Sequence, residues 1–287
     1  MIRLDAATVL LQFATGGLLF LWVTSRRREV GIGYGWLLRS FYALVAAGAV
    51  VAGRLLEPVP AREWASAGVA AAALAALAVS VVRRRAGVAG ERERRERRSA
   101  RVAAMTGGRP EPAGERVPDP SVPEFPPALD LVAPAVGVLG LVAAALDAGG
   151  PAGRAVARTL VGAAFLGSVS DAMLLGHWYL VQPGLGRAPL LEQVRWLGVL
   201  CPVEVAVLLW PTGMGSVITG TVDDGWNGTL GWFWVACAVT TAGLAVVTRA
   251  ALRERAYSAV MAATGLLYLA ILTAFGTDLV ARAVLAP

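Results

Sequence analysis

The chain contains no lysine, because all 26 of its basic residues are arginine. This absence excludes a retinal or pyridoxal Schiff base, which needs a lysine amine, and the lysine of a phosphate-binding P-loop. A single histidine, His177, excludes a haem held between two histidines of this chain and a histidine-rich zinc centre. The two cysteines, Cys201 and Cys237, lack C-x-x-C spacing and lie in apolar runs, which is typical of small core residues.

Charged residues are also scarce, at 16% of 287, whereas 56% of the residues are hydrophobic and the mean hydropathy is +0.62. About eight apolar runs approach the roughly 20 residues that a helix needs to cross a bilayer core. The sequence therefore predicts an all-α, polytopic transmembrane bundle of about eight helices surrounded by the lipid bilayer. The predicted runs are 6–24, 36–53, 64–82, 129–146, 155–181, 191–210, 230–247 and 257–275, the last with a possible extension to 285 through Asp278 and Arg282.

One long polar segment, residues 83–127, divides these helices into two groups. It begins with three arginines, continues with interspersed Glu and Arg, and then becomes rich in Pro, Gly and Glu. The first half would extend the third helix with i to i+4 Glu–Arg pairs, whereas the second half cannot bury enough apolar surface to fold alone. We predict three parts: 1–82 with three helices, 83–127 as a linker near lipid headgroups or a partner protein, and 128–287 with five helices and the candidate site.

The arginines outside the helices are concentrated in alternate connections. The positive-inside rule then places loop 83–127 and the other arginine-rich loops in the cytoplasm, and both termini outside. The net charge of +6 is thus explained by membrane orientation, and we predict no nucleic-acid partner. A lysine-free chain rich in Ala, Arg and Gly is typical of a GC-rich bacterial genome, so we expect it in the bacterial cytoplasmic (inner) membrane.

Three ionisable side chains, Asp171, His177 and Glu204, lie within apolar runs between residues 168 and 210. Ionisable groups at membrane depth cost roughly 2.5–3.5 kcal/mol each and usually mark a functional site. If the runs 155–181 and 191–210 form an antiparallel pair, these side chains form a file from the cytoplasmic surface towards the middle of the bilayer. We therefore predict that Asp171, His177 and Glu204 carry catalysis or proton transfer.

The same hairpin contains the groups that a quinone site requires, which are hydrogen-bonding partners, aromatic walls and a route for protons. The chain has no redox centre of its own, so a quinone would be its non-covalent cofactor and other membrane subunits its partners. The leading hypothesis is a quinone-interacting or proton-handling subunit of an energy-conserving membrane complex, with electron transport carried by those partners. The predicted cofactor-binding residues are Trp178, Tyr179, Gln182, Gln193 and Arg195.

Two other functions stay open, and whether the chain is an enzyme is not decided by its sequence. A proton-coupled small-molecule transporter needs a buried carboxyl group that loads and unloads a proton, a role open to Glu204 or Asp171. A structural or assembly subunit would instead use its buried charges to pair with each other or with another chain. One charge has a separate interpretation, since Arg39 near the start of the second run is expected to snorkel to the membrane surface.

Overall fold

The structure, a computed structural model, describes residues 5–86, 91–107, 109, 122–254 and 256–285. These residues are almost entirely helical, with 3-10 turns at Arg83–Arg85 and Pro127–Leu131. The α-helices are α1 (Ala6–Ser25), α2 (Ile32–Leu55), α3 (Pro60–Val82), α4 (Glu91–Thr106), α5 (Val132–Asp147), α6 (Ala152–Val181), α7 (Ala188–Leu209), α8 (Gly213–Ile218), α9 (Thr229–Ala251) and α10 (Tyr257–Leu285).

Seven of the helices in the described ranges are long and apolar enough to cross a membrane, namely α1, α2, α3, α5, α6, α9 and α10. The eighth long helix, α7, has 22 residues but carries Glu192, Arg195 and Glu204. It packs between α6 and α9, within the same bundle. The prediction of an all-α transmembrane bundle of about eight helices is therefore confirmed.

Helices α1 and α6 form the centre of the bundle. Helix α1 contacts α2, α5 and α6, and α6 also contacts α7 and α10. A Cβ atom on Gly16 would clash with the carbonyl oxygen of Ala163, and one on Gly167 would clash with the backbone of Gly16. Because these obstacles are backbone atoms, residues without a Cβ are needed for α1 and α6 to cross so closely. This crossing fixes the relative position of two helices that carry many of the buried polar groups.

The outer surface of the bundle is apolar. Leu44, Leu74, Leu139, Val246 and Leu272, on five different helices, are each more than half exposed. An apolar surface of this extent is suited to lipid rather than water. Several charged side chains are buried instead, among the apolar residues of the core. The chain is a multi-pass membrane protein.

Contacts between connecting segments define one end of the bundle. Arg26, after α1, forms an ion pair with Glu192 at the start of α7. Arg187, between α6 and α7, donates to the carbonyl oxygen of Leu252, after α9, at 3.2 Å. The α1–α2, α6–α7 and α9–α10 connections therefore meet at the same end. We call it the arginine-rich end, and the end that holds the start of α1 and the end of α10 the opposite end.

Residues 91–106 form a helix of their own, which corrects the predicted continuation of α3 into solvent. A 3-10 turn separates the end of α3 from this segment. The Nε of Arg98 donates to the carbonyl oxygen of Pro183 at 2.9 Å, so α4 lies against the α6–α7 turn. The predicted i to i+4 pairing does occur, between Glu93 and Arg97 at 3.1 Å. Most of the Pro- and Gly-rich half of the linker lies outside the described residues.

Arg39 lies in the interior of the bundle, so the prediction that it snorkels to the membrane surface is wrong. Its side chain is 3% exposed, and its Nε and one terminal nitrogen donate to the two carboxylate oxygens of Asp130, both at 2.7 Å. The ring of Phe125 lies 4.6 Å from the guanidinium carbon. Asp130 is 91 residues away in the sequence, and this distant partner neutralises the charge within the bundle.

Asp224 organises the loop that leads into α9. Its carboxylate accepts hydrogen bonds from the backbone N–H groups of Trp226, Gly228 and Leu230 at 2.8–2.9 Å. Burial alone would raise the pKa of this carboxyl group, but these hydrogen bonds to its charged form hold the pKa below its ordinary value. The backbone N–H groups at the start of a helix have no carbonyl partners within that helix. The ionised side chain of Asp224 accepts from such donors at and before the first turn of α9.

Candidate functional site

The three predicted site residues lie in three different environments rather than in one file. Gln193, on α7, lies at the level of Asp171, because both side chains contact Thr24. Glu204 is on the same helix as Gln193 but 11 residues further along, which is about 16 Å along the helix axis. His177 is exposed on the outer surface of the bundle. Asp171 and Glu204 therefore belong to two separate buried clusters, and His177 is a surface group.

The first cluster, which we call the Asp171 network, joins α1, α2, α6 and α7. The carboxylate oxygens of Asp171 accept from the hydroxyl groups of Thr24 at 2.6 Å and Tyr34 at 2.7 Å. The amide nitrogen of Gln193 donates to the Thr24 oxygen at 2.6 Å. All these side chains are buried. Because both oxygens of Asp171 have donors, this network is suited to holding four helices together.

The aromatic residues near this network have packing and turn contacts. The rings of Trp178 and Tyr34 lie 5.7 Å apart. The hydroxyl group of Tyr179 donates to the carbonyl oxygen of Gly186 and so closes the turn between α6 and α7. Arg195 is exposed on α7, with no ion pair or hydrogen bond to any other described residue. Of the predicted cofactor-binding residues, Gln193 thus belongs to the Asp171 network and Trp178 packs against it, whereas Tyr179 and Arg195 have separate surroundings.

His177 forms a surface pair with Tyr268 of α10. Its Nδ1 lies 2.9 Å from the Tyr268 hydroxyl oxygen, and the two rings are 6.2 Å apart in an edge-on arrangement. Gln182, also predicted as a cofactor ligand, follows α6, and its backbone N–H donates to the carbonyl oxygen of Trp178 at 2.8 Å. The histidine is therefore held by one neighbouring tyrosine on a face that lipid would cover.

The second cluster contains two buried carboxyl groups that interact with each other, Glu204 on α7 and Asp278 on α10, which we call the carboxyl pair. Both residues are fully buried, their side chains are close enough to interact, and Oδ1 of Asp278 has no hydrogen-bond donor among the described residues. Neither oxygen of Glu204 has a hydrogen-bond donor among the described residues. Two carboxyl groups can hydrogen-bond to each other only when one of them carries a proton. The geometry therefore provides a position for one proton.

Basic side chains surround the carboxyl pair. The Nε of Arg282 donates to an oxygen of Asp278 at 2.7 Å, and its terminal nitrogen donates to the carbonyl oxygen of Arg158 at 3.1 Å. A Cβ atom on Gly162 would clash with both Asp278 and Arg282, so glycine is needed where α6 passes this ion pair. Arg158 interacts electrostatically with Glu204 from α6. One guanidinium group, that of Arg282, thus pairs directly with Asp278, and a second, that of Arg158, acts on Glu204 electrostatically.

A cavity of about 200 Å³ lies next to the carboxyl pair, at the opposite end of the bundle. Arg282 lines the cavity while it holds Asp278, so this side chain connects the two. The α5–α6 turn, residues 149–151, also lines the cavity, which therefore lies where the helices leave the membrane. The charged lining residues are Asp5, Arg154, Arg158 and Arg282; most of the others are small or apolar.

Sequence reasoning identified Glu204 but missed its partners. Asp278 and Arg282 were visible as an i to i+4 pair of opposite charges within the last apolar run, and this spacing was the available signal. Arg158 gave no such signal, because its role depends on α6 and α7 lying side by side. No protein-family model, curated protein or solved structure matches this chain.

Proposed function

We propose that the chain is a proton-coupled transporter, in which the carboxyl pair binds the coupling proton and a small solute occupies the adjacent cavity. The observation that carries this proposal is the burial of two interacting carboxyl groups, those of Glu204 and Asp278. Arg282 neutralises the carboxylate of Asp278 through an ion pair at 2.7 Å. A second buried carboxylate beside this ion pair would be costly, so the neutral, protonated form of Glu204 is favoured. In this proposal the carboxyl pair therefore carries one proton.

The charged surroundings of the carboxyl pair suggest how its proton is coupled to a solute in the cavity. Two guanidinium groups act on the pair electrostatically, those of Arg282 on α10 and Arg158 on α6, and Asp5, before α1, acts in turn on Arg282. Cys201, one turn earlier on α7, is the neighbouring thiol. Because Arg158 and Arg282 both line the cavity, a solute that binds there changes the electrostatic environment of the proton. This interaction is the physical basis for coupling.

The cavity favours a solute over a quinone as the partner of this proton. Its lining contains arginine, aspartate and small or apolar residues, and no aromatic ring is among the described lining residues. A quinone site needs planar walls for the ring, and Trp178 and Tyr179 lie towards the arginine-rich end, far along α6 from the cavity. The volume of about 200 Å³ is below the roughly 300–1,000 Å³ typical of pockets for drug-sized ligands. The solute is therefore small.

Glu204→Gln is expected to abolish proton-coupled uptake, because glutamine cannot gain and lose a proton. Liposomes with the reconstituted protein and a trapped pH-sensitive dye are placed in an acidic medium, and lactate, ethanolamine or glucose is added outside. The wild type should acidify the interior faster than protein-free liposomes with one of these solute classes, and Glu204→Gln should match protein-free liposomes.

Glu192→Gln is the matched control, since Glu192 lies on the same helix but pairs with Arg26 at the arginine-rich end. It should retain the wild-type rate of acidification. If Glu204→Gln retains that rate, or if none of the three solutes moves protons in the wild type, proton-coupled transport is the wrong function.

Quinone binding is a second candidate, favoured by the exposed pair of His177 and Tyr268. An imidazole and a phenol held 2.9 Å apart on an apolar outer surface offer hydrogen-bonding groups to a molecule that arrives from the lipid. Protein purified from bacterial membranes in mild detergent should then contain extractable quinone, and His177→Ala should lower the amount severalfold. Quinone absent from the wild type, or unchanged in the variant, would leave the transporter as the better hypothesis.

Orientation and location follow from the charges in this proposal. The positive-inside rule places the arginine-rich end in the cytoplasm, so the cavity opens on the other side of a bacterial cytoplasmic membrane, together with both termini. With α7 counted as a crossing, the eight long helices return the chain to the side on which it starts. Partner subunits in a larger complex stay a prediction from the sequence.

A further inference from the structure

Charge balance in and around the cavity indicates what kind of solute it binds. Among the described residues, four guanidinium groups and four carboxyl groups are linked there through ion pairs, electrostatic interactions or the cavity wall. They are Arg62, Arg154, Arg158 and Arg282, with Asp5, Glu63, Glu204 and Asp278. These charges balance only when every carboxyl group is ionised. When the carboxyl pair carries one proton, one positive charge is left without a counterion.

Arg154 is the arginine to which we assign the positive charge without a counterion. Its side chain is half-buried at the cavity wall, and its guanidinium group has no hydrogen bond or ion pair within the described part of the chain. It lies close enough to Arg158 for the two like charges to repel each other. Arg158 is anchored by the carbonyl oxygen of Trp210 at 2.9 Å and uses only some of its five N–H donors. An anion between these side chains relieves the repulsion and accepts the free donors.

The remaining walls of the cavity suit a short carbon chain. Ala144, Ala145 and Ala281 are buried, apolar and small, and Leu208 and Leu285 complete this side of the lining. A phosphate ion would carry up to two charges and present no apolar part to these residues. A monocarboxylate matches both the single positive charge and the apolar wall.

We propose that the cavity binds a small monocarboxylate, with its carboxylate between Arg154 and Arg158 and its carbon chain against the alanine wall. This inference rests on the proposed transport function and names its substrate class. Each bound anion then accompanies one proton on the carboxyl pair, so that the loaded protein is electrically balanced at this site.

Binding of radiolabelled lactate to the protein in nanodiscs of zwitterionic lipid tests this inference directly. The wild type should bind lactate, and Arg154→Gln should weaken binding by about tenfold or more, as expected for the loss of a charge-assisted hydrogen bond. Charge reversal in Arg154→Glu should abolish binding. Both variants should keep the wild-type melting temperature, because Arg154 makes no ion pair within the described residues. Arg249→Gln, at an exposed arginine in the last turn of α9, is the matched control and should bind as the wild type does.

Other anions serve as competitors in the same assay. Inorganic phosphate should compete weakly, and nanodiscs that contain phosphatidylglycerol should leave lactate binding unchanged. The inference is overturned if phosphate binds as tightly as lactate, if the anionic lipid displaces lactate, or if Arg154→Gln binds lactate normally. If lactate fails to bind while another solute moves protons in a Glu204-dependent manner, only the substrate class is wrong. If lactate binds but no proton moves, the coupling is wrong.

Discussion

Replacing Asp130 with alanine should lower the free energy of unfolding by about 3–5 kcal/mol, the usual cost of removing one partner from a buried ion pair. Arg39 donates two hydrogen bonds to this carboxylate at 2.7 Å, and both side chains are at most 3% exposed. Alanine would leave the guanidinium charge buried without a counterion. Thermal unfolding in detergent micelles, followed by circular dichroism, should show a large fall in the melting temperature.

Two further variants separate the ion pair from other effects at this position. Asp147→Ala removes an exposed carboxylate from the last turn of α5 and should change the melting temperature little. The double variant Arg39→Met with Asp130→Leu removes both charges and should recover most of the lost stability. If Asp130→Ala and Asp147→Ala both keep the wild-type melting temperature, the ion pair of Arg39 and Asp130 does not connect α2 to the segment before α5.

Replacing Arg282 with methionine should destabilise the protein by a similar amount, about 3–5 kcal/mol, and should also stop proton-coupled uptake. Methionine fills much of the space of arginine but leaves Asp278 without its cation, next to the carboxyl group of Glu204. Melting temperature and dye-reported acidification of liposomes are the two measurements. Arg249→Met, at an exposed arginine in the last turn of α9, should change neither.

A second substitution distinguishes the structural effect of Arg282 from its effect on the proton. Arg282→Met combined with Asp278→Asn removes both members of the ion pair and should restore most of the melting temperature. Proton-coupled uptake should stay lost, because Glu204 then has no partner carboxyl group with which to share a proton. Recovery of uptake together with stability would show that the carboxyl pair serves only to hold α7 and α10 together.

The apolar runs of the sequence predict the fold well, because each long apolar helix has to place its surface either against other helices or against lipid. Alternate arginine-rich loops are likewise a local property of the chain. The sequence cannot show which distant residue neutralises a buried charge, and Arg39 illustrates this point. Its position near a helix end favoured snorkelling, but its partner, Asp130, enters from a segment beyond the polar linker.

The candidate site was only partly predictable for the same reason. Glu204 and Asp171 stand out as acids in apolar runs, and both are fully buried. Their different environments depend on which helices face them: Asp171 meets the hydroxyl groups of Thr24 and Tyr34, whereas Glu204 meets Asp278 of α10. Helical periodicity gives the direction of a side chain relative to its own helix but does not identify the neighbouring helix. The single file expected from the hairpin therefore separates into two clusters.

Infrared spectroscopy of the carboxyl C=O stretch is the most direct test of the carboxyl pair, because a protonated carboxyl group absorbs apart from a carboxylate. At neutral pH the wild type in nanodiscs should show a protonated-carboxyl band that shifts in heavy water. Glu204→Gln should lose that band, and Glu192→Gln should keep it. A band of equal intensity in the wild type and Glu204→Gln, or no such band in the wild type, would contradict a shared proton between Glu204 and Asp278.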